Sequence, residues 1–147
     1  MRVAIVDDDS SVRNALRRLL TTSDFVADAF ASGQEFLAAL PETEPDCVVV
    51  DLKMPEIGGL DLLRALAQRS EKLPVIIMTA FDTPKSRADC EMLGAVAYLR
   101  KPFEERVLFS AIDAAVGGPH GSTGAEDEAV VPIDPSQSGR QARAPSQ

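Results

Sequence analysis

The chain has 147 residues, 45% of them hydrophobic, with a formal charge of −8, one histidine, two cysteines and no tryptophan. This acidic balance argues against nucleic acid as a direct partner, and the lone His120 leaves histidine-based catalysis or metal binding little to work with. No segment approaches a membrane span, and Met1-Arg2 leads straight into an apolar run without an export signal, so a cytoplasmic location is expected.

Val3-Ala4-Ile5-Val6 is a run of aliphatic residues without polar alternation, the pattern of a strand buried on both faces, and it breaks off in Asp7-Asp8. Asp9 or Ser10 then suits the N-cap of a helix striped by Val12, Leu16, Leu19 and Leu20. Residues 25–29 form a more polar, edge-like strand, and Ser32-Gly33-Gln34-Glu35 has capping-box form before Phe36, Leu37 and Leu40. Val48-Val49-Val50 predicts a third strand closing in Asp51, followed by a helix carrying Leu60, Leu63, Leu66 and Ala67. Val75-Ile76-Ile77-Met78 predicts a fourth strand ending in Thr79, and Pro84 suits the first turn of the next helix. A weaker fifth run, residues 95–99, reaches Lys101-Pro102 before a helix striped by Val107, Leu108, Ala111, Ile112 and Ala115.

Strand and helix alternate throughout, which predicts an α/β fold: a doubly wound, five-stranded parallel sheet with five helices and right-handed crossovers. Residues 1–116 are enough for one core of ordinary domain size. From Gly117 the chain turns to Gly, Pro, Ser and Gln with an acidic Glu126-Asp127-Glu128, and residues 117–147 are expected to be a disordered tail. The tail sets four acids against Arg140 and Arg143, so −6 of the −8 belongs to the folded part. Cys47 falls in a strand and Cys90 on a helix without metal-ligand or redox spacing, so both are expected to be reduced and structural.

In a parallel sheet the carboxyl ends of the strands share one edge, where open α/β folds bind ligands. Asp7, Asp8, Asp51, the Thr79 hydroxyl and the Lys101 ammonium would meet there. Crowded carboxylates raise one another's pKa unless a cation neutralises them, and a hard divalent ion such as Mg²⁺ takes oxygen ligands of this kind. Helix N-terminal charge would explain Asp7, Asp8 and Asp9 alone, but it leaves Asp51 without a reason. Taken singly, Lys101 reads equally as a snorkelling surface lysine, Thr79 as a turn-capping hydroxyl and Tyr98 as an ordinary strand aromatic. Their shared placement at strand ends favours a site.

These residues together resemble the receiver domain of two-component response regulators: Asp7-Asp8 after the first strand, Asp51-Leu52-Lys53-Met54-Pro55 closing the third, Gly59 opening the next helix, Thr79-Ala80 after the fourth, and Tyr98 and Lys101-Pro102 at the fifth. The stretch from Asp51 to Leu63 looks most like receivers that usually carry a helix-turn-helix output domain, although the 31 residues after Val116 cannot build one. The resemblance implies a flavodoxin-like strand order 2-1-3-4-5. It implies a phosphoryl group accepted on Asp51 from a histidine kinase or phosphotransfer protein, with Mg²⁺ held by Asp8, Asp51 and the Lys53 backbone carbonyl, and by Asp7 directly or through water. Lys101, aimed inward by a cis bond to Pro102, would offset charge on the phosphoryl oxygens. Thr79 and Ala80 would contact that group, and Tyr98 would turn inward as Thr79 moves. The face of the fourth helix, fifth strand and fifth helix would then meet a downstream protein or a second copy.

Two positions depart from the best-known pattern. Lys53 and Phe81 stand where some receivers carry polar groups that position hydrolytic water, and Phe81 has no donor or acceptor, which implies slow self-dephosphorylation. Gly58-Gly59, where an acidic residue or serine often precedes the second glycine, touches only the rigidity of that loop. The expectation is thus a stand-alone receiver without turnover of an external substrate. Two alternatives are an unphosphorylated pseudo-receiver scaffold, disfavoured by the intact residue set, and a haloacid-dehalogenase-type Mg²⁺-dependent phosphatase. The latter needs two aspartates two residues apart followed by threonine, where this chain has Asp7-Asp8-Asp9-Ser10, and it needs a substrate-covering cap.

Overall fold

A computed structural model describes residues 1–69, 72–117 and 130–132. Strands and helices alternate as β1 (Arg2–Val6), α1 (Ser10–Thr22), β2 (Val26–Phe30), α2 (Gly33–Thr43), β3 (Cys47–Asp51), α3 (Gly59–Ala67), β4 (Val75–Thr79), α4 (Pro84–Met92), β5 (Ala97–Arg100) and α5 (Glu105–Ala115). The five strands pair in parallel in the order β2-β1-β3-β4-β5, as expected.

Alternation of side chains along each strand divides the apolar residues between two faces. Ala4, Val6, Val48, Val50, Ile77 and Tyr98 face α2, α3 and α4, where Phe36, Leu40, Leu62, Leu66 and Cys90 complete a core. Val3, Ile5, Val49, Ile76, Met78 and Leu99 face α1 and α5, and pack with Leu16, Leu20, Leu108 and Ile112. Burial on both faces is why β1, β3 and β4 read as unbroken aliphatic runs. β2 lies at the edge, half-buried and with Val26 exposed, which accounts for its mixed composition.

The helix starts follow local chemistry. Asp9 caps α1 by accepting from the Ser11 and Val12 amides at 2.8 and 3.3 Å, and Ser32 caps α2 by accepting from the Glu35 amide at 3.1 Å. Glu35 reaches back to the Ala31 amide, one residue before the position a strict capping box uses. Thr83 caps α4, with Pro84 in its first turn.

Three residues of the expected tail are described beyond Gly117. Val130–Pro132 forms a sixth strand, β6, antiparallel to β5, with Leu99 opposite Val130, Tyr98 opposite Val131 and Ala97 opposite Pro132. Without it β5 would present an unpaired edge to solvent. Val130-Val131 supplies two β-branched residues suited to a strand, and Pro132, which has no N–H to donate, suits its end. The disorder expected for residues 118–129 and 133–147 concerns positions outside the described residues.

Candidate functional site

Strand register builds the site. Val6 pairs with Val50, Asp51 with Met78 and Thr79 with Arg100, so the residues at or just beyond these strand ends gather on one edge of the sheet. Asp7 is 1% exposed, Asp51 8% and Thr79 1%, and among the described residues these are the only polar or charged residues buried in this way. Three buried polar groups at adjacent strand ends need partners, because an unpaired buried charge is costly.

Lys101 supplies the partner. Its ammonium donates to Asp7 Oδ2 and to Asp51 Oδ1, both at 3.0 Å, so one cation bridges two carboxylates. The cis Lys101–Pro102 bond expected from the resemblance is present, with Lys101 partly buried and Pro102 exposed. The other oxygen of Asp7 accepts from the Asp9 amide at 2.9 Å, and its backbone carbonyl accepts from Arg13 Nη1 at 2.8 Å. Burial pushes the Asp51 carboxyl above its ordinary value, and the Asp7 and Asp8 charges push it further against the opposing pull of Lys101. For Lys101, burial works downward, but hydrogen bonds and attraction from Asp51 and Asp7 outweigh it, and the ammonium is held above its ordinary value.

Asp7, Asp8 and Asp51 each offer an oxygen within 4.8 Å of the others. Asp8 is exposed, so the cluster opens to solvent on its side. An all-oxygen, carboxylate-rich set with excess negative charge fits a hard divalent cation such as Mg²⁺. Asp9, by contrast, is taken up in capping α1, which removes the second aspartate that a haloacid-dehalogenase mechanism would require.

The loop after Asp51 is fixed by close backbone approach. A Cβ on Gly59 would stand 2.9 Å from the Leu52 Cα and 3.3 Å from the Asp51 carbonyl oxygen, so α3 can begin this near the acidic cluster only with glycine there. The Gly59 amide donates to the Leu52 carbonyl at 2.9 Å, and the Asp61 carboxylate accepts from the Gly58 amide at 3.3 Å. This anchoring holds the loop although neither an acidic residue nor a serine stands at position 58.

Other expected residues fall around this centre. Thr79 Oγ1 accepts from the Phe81 amide at 2.9 Å. Ala80 and Lys53 are exposed, and Phe81 is 66% exposed, so both departures from the usual pattern lie on the solvent rim. Tyr98 is fully buried, packed in the core beneath α2, α3 and α4. Sequence reasoning missed Arg13, which steadies Asp7, and the pair Asp82 and Arg87 beside Tyr98. A basic residue in the first turn of α1 and opposite charges five residues apart across the start of α4 were the available signals.

Burial pushes both cysteine thiols up to about 12, consistent with the structural role expected of them. The grooves of about 290 and 350 Å³ lie between the ends of α2 and α3 and the start of β4, at the opposite edge of the sheet from the aspartates. No described helix is long and apolar enough to cross a membrane.

Comparison with known proteins agrees with this geometry. Residues 3–113 match the response regulator receiver domain family. The chain is 42% identical over 112 residues to the DNA-binding transcriptional regulator NtrC of Klebsiella pneumoniae, covering 76% of this chain and 24% of that protein. It is 35% identical over 114 residues to the transcriptional regulatory protein FixJ of Bradyrhizobium diazoefficiens, covering 78% of this chain and 56% of that one. It thus spans between about a quarter and just over half of these relatives. A crystal structure of a response regulator receiver protein from Burkholderia phymatum superimposes with a TM-score of 0.70 at 42% identity, covering 80% of this chain and 95% of that one. With buried aspartates and a bridging lysine at the strand ends of a 2-1-3-4-5 sheet, and a family match spanning nearly the whole α/β unit, the chain belongs to the receiver domains of two-component response regulators.

Proposed function

We propose that Asp51 accepts a phosphoryl group from a histidine kinase or a histidine phosphotransfer protein. The observation that carries this reading is the burial of Asp7, Asp51 and Thr79 at adjacent strand ends with the Lys101 ammonium 3.0 Å from both carboxylates. An Asp51 oxygen forms the new O–P bond, the N–P bond of the donor phosphohistidine breaks, and the departing imidazole takes a proton from solvent. Lys101 lies where it can move from the carboxylates to a phosphoryl oxygen, and Thr79 can donate its hydroxyl to another. Asp7, Asp8, Asp51 and the Lys53 carbonyl would hold Mg²⁺, which supplies positive charge to offset that on the transferring group.

The signal would then leave through α4, β5 and α5 to a downstream protein or a second copy, in the cytoplasm where a kinase's phosphohistidine is available. The acidic surface leaves direct nucleic-acid contact out of this reading. The deciding experiment is incubation with acetyl phosphate. Wild type should gain one phosphoryl group in the presence of Mg²⁺, and Asp51→Asn should gain none. Equal labelling of the variant, or labelling undiminished by EDTA, would refute the assignment.

A further inference from the structure

Tyr98 is buried in the α2–α3–α4 core, and the group lying over its ring is Arg87 of α4, with the guanidinium carbon 5.7 Å from the ring centroid. Asp82, in the loop before α4, accepts from Arg87 Nη2 at 2.8 Å. The Arg100 guanidinium stands 4.0 Å from the same carboxylate oxygen. The Tyr98 hydroxyl is buried without a well-formed hydrogen bond, as are Asp82 Oδ1 and Arg87 Nε. Burial and then the nearby Asp82 charge push the phenol up to about 12, so Tyr98 sits there as a neutral ring under a cation.

The same loop is tied to the phosphoryl site. Thr79 Oγ1 accepts from the Phe81 amide at 2.9 Å, and Asp82 is the next residue along the chain. A hydroxyl can accept from an amide while donating elsewhere, so displacement of Thr79 toward a phosphoryl oxygen would pull on Phe81 and through it on Asp82.

We propose that Asp82 and Arg87 are positioning residues for Tyr98: the Asp82–Arg87 ion pair holds the ring in its buried place and connects it to Thr79. A cation over an aromatic face attracts it, and the carboxylate keeps the guanidinium from swinging into solvent. Buried polar atoms without well-formed hydrogen bonds make the arrangement sensitive to small shifts, since moving Asp82 trades one poorly satisfied set of contacts for another. The link to Thr79 rests on the phosphorylation reading; the hold on the ring does not.

The chain has one tyrosine and no tryptophan, so tyrosine emission reports on Tyr98 alone. In protein without Mg²⁺ or phosphodonor, acrylamide quenching should rise by about two- to fivefold in Arg87→Met, the population change that loss of a cation–π contact at a partly exposed site implies. Asp82→Asn should rise in the same direction, Arg87→Lys should rise less than Arg87→Met, and far-UV circular dichroism should match wild type in all three. Quenching unchanged in Arg87→Met, or raised there but unchanged in Asp82→Asn, would overturn the pair's role. In a second arm, Mg²⁺ and acetyl phosphate should alter quenching of wild type and alter that of Asp82→Asn less. An equal response in the two would overturn the connection to Thr79, provided labelling is confirmed by intact mass. Absence of labelling would instead count against the phosphoacceptor assignment, and the first arm would stand independently.

Discussion

Lys101 Nζ lies 3.0 Å from Asp51 Oδ1 although 50 positions separate the two residues in the chain. The contact exists because β3 and β5 flank β4 and both end on the same side of the sheet. It balances charge imperfectly: one ammonium serves Asp7 and Asp51, and Asp8 adds a third negative group close by.

That imbalance has a pH signature in metal-free protein. The Asp51 pKa is raised on folding, so this group's contribution to stability is complete below its ordinary value of 3.8 and is lost as pH rises through the folded value. Lys101, also raised, contributes up to its ordinary value of 10.5 and loses that contribution only above it. Asp51→Asn should therefore be more stable than wild type near neutrality, with the gain shrinking as pH falls toward the carboxylate range, while Asp7 still holds Lys101. Chemical denaturation in EDTA between about pH 4 and about pH 8 is the test, and a constant difference across that range would contradict it.

Asp8 offers the metal a ligand without contributing to packing, since it is exposed. Asp8→Ala should keep the fold, weaken Mg²⁺ binding and raise the stability of the metal-free protein by relieving repulsion. Thermal melts with and without Mg²⁺ measure both effects. A Mg²⁺-induced shift as large as that of wild type would exclude Asp8 as a ligand.

Pairing of β6 with β5 makes the tail a modest contributor to stability. A few backbone hydrogen bonds at about 0.5–1.5 kcal/mol each are largely offset by ordering costs of about 1–2 kcal/mol per residue, so truncation after Gly117 should lower Tm by a few degrees at most. The clearer signature is faster amide exchange in residues 97–99, where β6 pairs. Exchange at the wild-type rate in the truncated protein would show that β6 does not protect this edge.

Phe81 and Lys53 stand on the exposed rim, so both can be replaced without opening the core. If they obstruct the water that must approach a phosphorylated Asp51, Lys53→Asn with Phe81→Glu should speed dephosphorylation by about tenfold, a barrier lower by about 1.4 kcal/mol. Decay of the phosphoprotein after donor removal, at constant Mg²⁺, measures it. A double variant that decays at the wild-type rate would place control elsewhere.

The sequence by itself determined the α/β order, because doubly buried strands must be continuously aliphatic and the helices between them must carry one apolar stripe; β1, β3, β4 and α5 were legible for that reason. It also marked Asp7, Asp51, Thr79 and Lys101, since polar residues that interrupt such runs at their ends are few. Only the tertiary structure decided that Lys101 spans two carboxylates, that Asp9 caps a helix while Asp8 stays open to solvent, and that Arg87 covers Tyr98. These are distances between groups brought together by strand order, and local pattern does not encode a distance across the sheet. The same holds for β6: three residues read as part of a polar tail become a strand because an unpaired β5 edge lies within their reach.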